Sequence, residues 1–379
     1  MLILKKNKLK VSQKKILFYH PIFLDGGVEK TNLLISESLS KKYEVLFASN
    51  YFSNKFDTDI KRIGIKKIKL KAERTILSFF ELSKIIRKNN PDLIFSLQMH
   101  ANVTILFMNF LLFFNKLKIV CCERLSPQSY ENNFKGQIII LLAKFFYKFA
   151  KKIICNSCDL AKEIKSLSKS NNVTFVYNPT LKQNFKKLSK KFKLNQYPFK
   201  KKNKKIIISI GRLDNNKNHL MILKAINFLK EKKKFVIVII GEGKNKKLLI
   251  DYAKEIGFKK NLYIFNFKKN PYPYLVNSDL KILTSNFEGL PNVLIEAMAL
   301  DVPIISTNSP TGPREILLNG KAGFLIKRND HKSLSKKIRL FLQDPKIFNQ
   351  KKLFYKKSLK RFSPEKSLKK YIDIVDKII

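Results

Sequence analysis

Short β-branched runs alternate with longer amphipathic stretches along most of this chain, and the alternation comes in two series. A run that is apolar at every position suits a strand covered on both faces, and hence a parallel sheet closed by crossover helices. In the first series the runs predict strands over residues 15–19, 44–48, 92–97, 118–122, 152–155 and 173–177. Helices are expected over 28–40, 75–88, 102–114, 136–150 and 160–167. Residues 180–204 break the pattern, as a linker does: they are lysine-rich, include Pro198 and run into Lys200-Lys201-Lys202-Asn203-Lys204-Lys205. A second series follows, with strands over 206–210, 235–240, 261–265, 280–283, 303–306 and 324–326 and an amphipathic helix over 364–379. The 379 residues exceed what one hydrophobic core usually serves. The expected class is α/β, with one parallel-sheet domain over 14–181, another over 200–360 and a terminal segment over 361–379. A ligand site belongs where the carboxyl ends of the strands face each other across a cleft.

Charge narrows the partners. Lys and Arg number 77 against 28 Asp and Glu, a formal net charge of +49. Such an excess favours nucleic acid, anionic lipid or a phosphate-bearing substrate. Part of it reflects a composition rich in Lys, Asn, Ile and Phe and lacking Trp, which AT-rich coding would produce. Nucleic acid is not expected, because the basic residues are spread and no zinc-finger spacing or RNP aromatic signature is present. Lys5, Lys6, Lys8 and Lys10 interrupt the apolar run 1–4, so no secretory signal is expected. The longest apolar stretch, 103–114, contains Asn109 and is too short to span a bilayer. Four cysteines suit a reducing compartment, and a cytoplasmic location is expected. Residues 144–152 mix aromatics with lysines, as an interfacial segment or a packed helix would, and suggest peripheral contact with an anionic membrane at the cytoplasmic face of the inner membrane.

Three stretches at strand ends carry chemistry. Gly26-Gly27-Val28-Glu29 follows the first strand and opens a helix; paired glycines permit close approach, and a helix start favours an anion. Gly211-Arg212-Leu213-Asp214-Asn215-Asn216-Lys217 follows strand 206–210, so one loop can bring a guanidinium and an ammonium to one diphosphate. In Ser285-Asn286-Phe287-Glu288-Gly289-Leu290-Pro291-Asn292, continuing to Glu296, Pro291 suits the first turn of a helix. The amides before it can receive phosphate, while Glu288 and Glu296 would repel a diphosphate and so suit sugar hydroxyls. Read alone, each stretch is also compatible with an ordinary turn or capped helix.

Together these strings resemble glycosyltransferase family 4, as do Val302-Pro303-Ile304-Ile305-Ser306-Thr307 and Gly312-Pro313-Arg314-Glu315-Ile316-Leu317. The resemblance covers about residues 14–375 and is more specific in the second half. It implies a GT-B fold of two facing Rossmann-like domains, the terminal helix crossing back to the first. It also implies a retaining transfer from a nucleotide-diphosphate sugar, with no cofactor and no metal required. By motif match Arg212 and Lys217 hold the diphosphate, Glu288 contacts the transferred sugar, and Glu296 the ribose; Glu288, Arg212 and Lys217 are the expected catalytic set. Gly26, Gly27, Gly211, Gly289 and Leu290 complete the donor site. Many relatives carry a His near the reacting sugar where this chain has Cys121-Cys122-Glu123-Arg124-Leu125-Ser126-Pro127; His100, Glu123 and Arg124 are the candidates for contact to acceptor or sugar, with the roles of Glu123 and Arg124 open and a structural role for His100 as the alternative. The expected acceptor is a lipid-linked glycan, or a lipopolysaccharide or polysaccharide intermediate. A non-catalytic GT-B relative, a phosphorylase and an epimerase are the alternatives. Asp57-Thr58-Asp59 has a metal-site spacing, but in a polar loop of the wrong architecture, and the cysteines read as buried apolar residues.

Overall fold

The computed structural model describes residues 13–24, 26–54, 57–72, 75–131, 133–181, 185–190 and 204–379. The first series of apolar runs forms β1 (Lys15–Tyr19), β2 (Ile22–Phe23), β3 (Glu44–Ser49), β4 (Tyr51–Phe52), β5 (Lys66–Lys69), β6 (Leu93–Leu97), β7 (Ile119–Glu123), β8 (Lys152–Cys155) and β9 (Val173–Phe175). The second forms β10 (Lys205–Ile210), β11 (Phe235–Ile240), β12 (Leu262–Phe265), β13 (Leu280–Leu283), β14 (Ile304–Thr307) and β15 (Phe324–Ile326). They assemble into a seven-stranded sheet, β5-β3-β1-β6-β7-β8-β9, a six-stranded sheet, β12-β11-β10-β13-β14-β15, and the small pair β2-β4. Every pairing between described strands is parallel. Parallel neighbours need crossovers, and helices on both faces supply them.

The expected strands are all present, with ends displaced by at most two residues. The sequence reading omits β5, whose Lys-Lys-Ile-Lys run lacks an apolar signature. It lies at a sheet edge, where lysines discourage pairing with another chain. The helix Asp57–Ile63 and the two-residue strands β2 and β4 were also not expected. The expected linker over 180–204 falls mostly outside the described residues.

Each sheet is sandwiched between two apolar layers. In the first domain Leu17, Tyr19 and Leu46 face one layer while Ile16, Phe18 and Phe47 face the other, so consecutive positions are all buried. The second domain repeats this with Ile207 and Ile237 on one side and Ile206 and Ile208 on the other. The helix Pro364–Ile378 starts at Ser363, whose hydroxyl accepts from the Lys366 amide. It inserts Tyr371 and Val375 into the first domain's core, and Lys118 Nζ donates to the Ile378 carbonyl at 2.8 Å. The terminal helix therefore returns to the first domain. Tyr177, ahead of the first crossing, meets Phe362, ahead of the second, edge to face with centroids 4.8 Å apart. Its hydroxyl donates to Glu315 at 2.5 Å.

Candidate functional site

The carboxyl ends of both sheets open onto one crevice. On the first domain's side, Gly26 precedes the helix Gly27–Leu39. Glu29 folds back to accept the Gly26 amide at 3.0 Å and the Leu24 amide at 3.4 Å. A Cβ on Gly26 would stand 2.6 Å from that carboxylate. Burial raises the Glu29 pKa, while these amides and the positive charge of Arg212 pull it back. Arg212 belongs to the second domain, so its effect on Glu29 acts across the crevice.

On the opposite side, Gly211 and Arg212 follow β10 directly. The exposed Arg212 guanidinium contacts Asp214 at 3.1 Å, and Asp214 also accepts the Lys217 amide at 2.9 Å. Lys217 reaches Glu288 at 2.5 Å, and Ser285 donates to the same carboxylate oxygen at 2.6 Å. The Glu288 amide donates to Pro310, whereas the Gly289 and Leu290 amides donate to no acceptor among the described residues. They precede the helix Asn292–Ala299, where unused N–H groups and the helix dipole favour an anion. Gly289 also packs closely on the first domain: an added Cβ would lie 2.0 Å from the Arg124 carbonyl.

Bonds across the crevice fasten this cradle. Asn292 accepts from Asn178 at 2.8 Å and Thr180 at 3.1 Å, and donates to Thr31 at 3.3 Å. Gly27 lies opposite the Asn292 amide nitrogen, 3.5 Å from where its Cβ would stand. Lys30, one turn into the glycine-led helix, pairs with Glu296 at 3.2 Å and donates to the Tyr272 hydroxyl at 3.1 Å. Burial lowers the Lys30 pKa, but Glu296 and Tyr272 outweigh it and hold the ammonium above its ordinary value. Arg212, Lys217, Glu288 and Glu296 thus border one crevice with Gly26, Gly27, Gly211, Gly289 and Leu290.

Some polar groups here escape the sequence reading. His219 accepts or donates through Nδ1 to Ser209 at 3.0 Å, and its Nε2 lies 3.3 and 3.2 Å from the carbonyls of Gly211 and Arg212. It braces the loop that carries Arg212. Burial, then the Lys281 charge, lowers its pKa to about 4. Lys281, on the central strand β13, is fully buried, and its Nζ has no hydrogen-bond partner among the described residues. Burial and the Lys217 charge push it down to about 7, against the pull of Glu296 and Glu288. Lys30 and His219 stand beside motif residues in sequence; their tertiary partners are what distinguish them.

The first domain uses its own candidates differently. His100, half-buried at the start of the helix Met99–Leu112, places Nδ1 3.3 Å from the Tyr130 hydroxyl. Burial lowers its pKa. Glu123 and Arg124 are both buried and hydrogen-bonded within the protein, although the Arg124 Nε has no partner among the described residues. Glu123 is fully buried and accepts from Asn102 at 2.6 Å and from the Tyr147 hydroxyl. Burial raises its pKa to about 7, even though those donors favour the charged form. Arg124 donates to Asn178 at 3.0 Å and Tyr371 at 3.2 Å, which makes it a buried link to the terminal helix. Beyond β1, β3 and β5, a cavity of about 840 Å³ is lined by Ile22, Leu24, Asn50, Tyr51, Lys69 and Lys71, among others.

The Asp57-Thr58-Asp59 string binds lysines: Asp57 pairs with Lys67 and Asp59 with Lys269, both at 2.7 Å. Cys121, Cys122 and Cys155 are buried free thiols and Cys158 is half-buried. Among the described residues no helix is long and apolar enough to cross a membrane.

Comparison with known proteins agrees with this architecture. The family described as Glycosyltransferase Family 4 matches residues 25–180, and that described as Glycosyl transferases group 1 matches residues 190–360. A glycosyltransferase of Methanocaldococcus jannaschii is 32% identical over 298 residues, covering 74% of this chain and 73% of the relative. The Campylobacter jejuni N-acetylgalactosamine-N,N'-diacetylbacillosaminyl-diphospho-undecaprenol 4-alpha-N-acetylgalactosaminyltransferase is 27% identical over 333 residues, 85% of this chain and 88% of its own. The crystal structure of Anabaena HepE in complex with UDP and glucose superposes with a TM-score of 0.79 at 17% identity, covering 96% of this chain and 100% of that one, and shares the GT-B fold. With both halves of its sequence matched and two parallel-sheet domains facing across a cleft, the chain belongs to the group 1, family 4 glycosyltransferases.

Proposed function

We propose that this enzyme transfers a sugar from a nucleoside-diphosphate sugar to a hydroxyl of a lipid-linked glycan or polysaccharide intermediate, with retention of anomeric configuration and without a metal. The observation that carries the reading is the convergence in one crevice of the Lys217–Glu288 pair, the Lys30–Glu296 pair and the undonated amides of Gly289 and Leu290. The diphosphate takes Arg212, Lys217 and the two amides as its partners. As Lys217 turns to phosphate, Glu288 is released to accept from the transferred sugar. Glu296 exchanges Lys30 for ribose hydroxyls.

The slow step is departure of the nucleoside diphosphate while positive charge builds on the sugar ring. Cations and amides fixed before the reaction stabilise the leaving group without reorganising. The acceptor hydroxyl approaches on the face the phosphate leaves, which yields retention. We place the acceptor on the first domain's side, where the cavity beside Tyr51 combines an apolar floor with Lys69 and Lys71, groups suited to a glycan joined to a lipid by phosphate. The Campylobacter relative, whose name specifies a diphospho-undecaprenol acceptor, supports that class. Free, sparse thiols are compatible with a cytoplasmic site of action.

A thermal-shift panel of nucleoside diphosphates and their sugars identifies the donor, because a ligand that binds only the folded chain stabilises it by mass action. Transfer of that sugar to a polyprenyl-diphosphate glycan, with an α-configured product from an α-configured donor and full rate in excess chelator, is the expected outcome. An inverted product refutes retention, and loss of activity in chelator refutes metal independence.

A further inference from the structure

The loops at the carboxyl ends of the second sheet follow one another in the order of its strands. The loop after β10 carries Arg212 and Lys217, and the loop after the next strand, β13, carries Glu288. Beyond them come the loops after β14 and β15, with Asn308 in the one and Lys327, Arg328 and Asn329 in the other. Together with Asn286 and Phe287 these four residues line a cavity of about 600 Å³ that has no part in donor binding. Phe287 is half-buried in its wall, whereas the next residue, Glu288, turns its carboxylate to Lys217 and Ser285. Consecutive Cα atoms stand about 3.8 Å apart, so the cavity adjoins the place of the transferred sugar. Diphosphate, transferred sugar and cavity thus follow the order β10, β13, β14 and β15.

The walls are held by specific bonds. The Arg328 guanidinium lies 5.1 Å from the centre of the Phe287 ring and donates to the Asn286 carbonyl at 3.3 Å. Asn216, in the diphosphate loop, accepts the Asn286 amide on its carbonyl at 2.7 Å and the Phe287 amide on its side chain at 3.0 Å. Asn218 donates to Asn329 at 2.9 Å and so fixes the rim. The Asn286 Oδ1 is covered and takes no hydrogen bond among the described residues, which leaves one wall short of a donor. Two cations line the cavity and no carboxylate does, among the described residues. Asp330, next in sequence, is engaged at the start of the helix His331–Gln343, where it accepts from the Ser333 amide at 2.8 Å and its hydroxyl at 2.7 Å. A guanidinium held against a ring, a mobile ammonium and several amides suit a sugar that bears an anionic group. The cations take the anion and the amides take the hydroxyls.

We propose that this cavity is an acceptor subsite for an anionic sugar, whose carboxylate or phosphate pairs with Lys327 and Arg328 while Asn286, Asn308 and Asn329 meet its hydroxyls. The acceptor is then an acidic glycan, held by the second domain beside the hydroxyl that receives the transferred sugar. The proposal rests on the donor reading for the meaning of its position, but binding at the cavity can be measured without donor sugar or acceptor. Glucuronate, glucose 6-phosphate and glucose are the probes, titrated by saturation-transfer NMR into the whole chain. The preferred nucleoside diphosphate is present in excess, so that the diphosphate cradle is filled.

An acidic probe is expected to bind about tenfold or more tightly than glucose, and the preferred one tells a carboxylate-bearing acceptor from a phosphate-bearing one. Lys327→Ala combined with Arg328→Ala is expected to weaken that probe about tenfold or more. Lys259→Ala combined with Lys260→Ala removes the same charge from an exposed turn elsewhere on the second domain and is expected to change nothing. Nucleoside-diphosphate affinity, the check on folding, is expected to stay the same in both. In transfer to a polyprenyl-diphosphate glycan that carries an acidic sugar, the Lys327 and Arg328 variant is expected to raise the acceptor KM about tenfold with kcat and donor KM unchanged. Equal affinity for glucose and the acids, equal loss in the two double variants, acidic probes displaced by the nucleoside diphosphate, or a change confined to kcat or donor KM would each overturn the proposal. Failure of the unaltered chain to bind any nucleoside diphosphate would refute the donor reading by itself, since the probes report on Lys327 and Arg328 separately.

Discussion

The two domains share a construction and use it in opposite ways. The second sends its polar loop residues into the crevice: Arg212, Lys217, Glu288 and Glu296 all reach the cleft from strand ends or the helix beyond them. The first turns Glu123 and Arg124 inward, onto Asn102, Tyr147, Asn178 and Tyr371, and leaves aromatic residues outside. The contrast teaches that polar residues just past a strand end can face the cleft in one domain and the interior in the other, according to what packs around them. In the second domain Glu296 is paired from across the cleft, by Lys30, while Arg212 and Glu288 take their partners from their own domain, Asp214 for the one and Lys217 and Ser285 for the other. In the first the partners come from within the domain and from the terminal helix that packs on it.

Four measurements sharpen or break this contrast. The largest effect belongs to the second domain's cations: Arg212→Ala and Lys217→Ala are each expected to lower kcat by about 10²–10³ while melting behaviour is retained. Near wild-type turnover in either variant removes the diphosphate assignment. Next comes the seam, where Gly289→Ala sets a methyl group against the Arg124 carbonyl. The expected cost is about 1–3 kcal/mol of stability by denaturant titration, with weakened turnover because the domains can no longer close to the same distance.

Third, Tyr371→Phe removes an acceptor from the buried Arg124 guanidinium and is expected to destabilise the first domain by about 1–3 kcal/mol. Nucleotide affinity should be unaffected, and an equal loss of affinity would mean that Arg124 serves the donor site. The last contrast is in pH dependence, where one group from each domain has an opposite sign. His219 is held near 4 against an ordinary 6.5, so its contribution is full above pH 6.5 and is lost as pH falls towards 4. Glu123 is held near 7 against 4.5, so its contribution is full below pH 4.5 and is lost as pH rises towards 7. His219→Asn and Glu123→Gln should each flatten the corresponding limb of a stability profile, by at most about 1.4 kcal/mol per pH unit.

Parallel strands write their burial directly into sequence, which is why runs such as Phe235–Ile240 and Ile206–Ile208 could be placed without coordinates. The crevice residues are legible for a related reason, since most of them lie in short loops at the ends of those runs, with Glu296 in the helix beyond. Lys66–Lys69 was not, because an edge strand has little to bury and its lysines read as a solvated loop. Lys281 misleads in the other direction: a charge in a four-residue strand suggests an exposed face, yet β13 lies between β10 and β14 and covers it completely. Lys30 and Glu123 depend on partners 266 and 24 positions away, Glu296 and Tyr147, and no local pattern encodes such pairings.

Tyr177 and Phe362 stand side by side where the chain passes between domains for the first and second time. Two adjacent covalent passages restrict relative movement more than one does. Sliding and twisting would stretch one strand of the pair against the other, whereas a swing about the line that joins them strains neither. The crevice should therefore gape and shut like a book on its spine, with its widest travel at the lip furthest from these two rings.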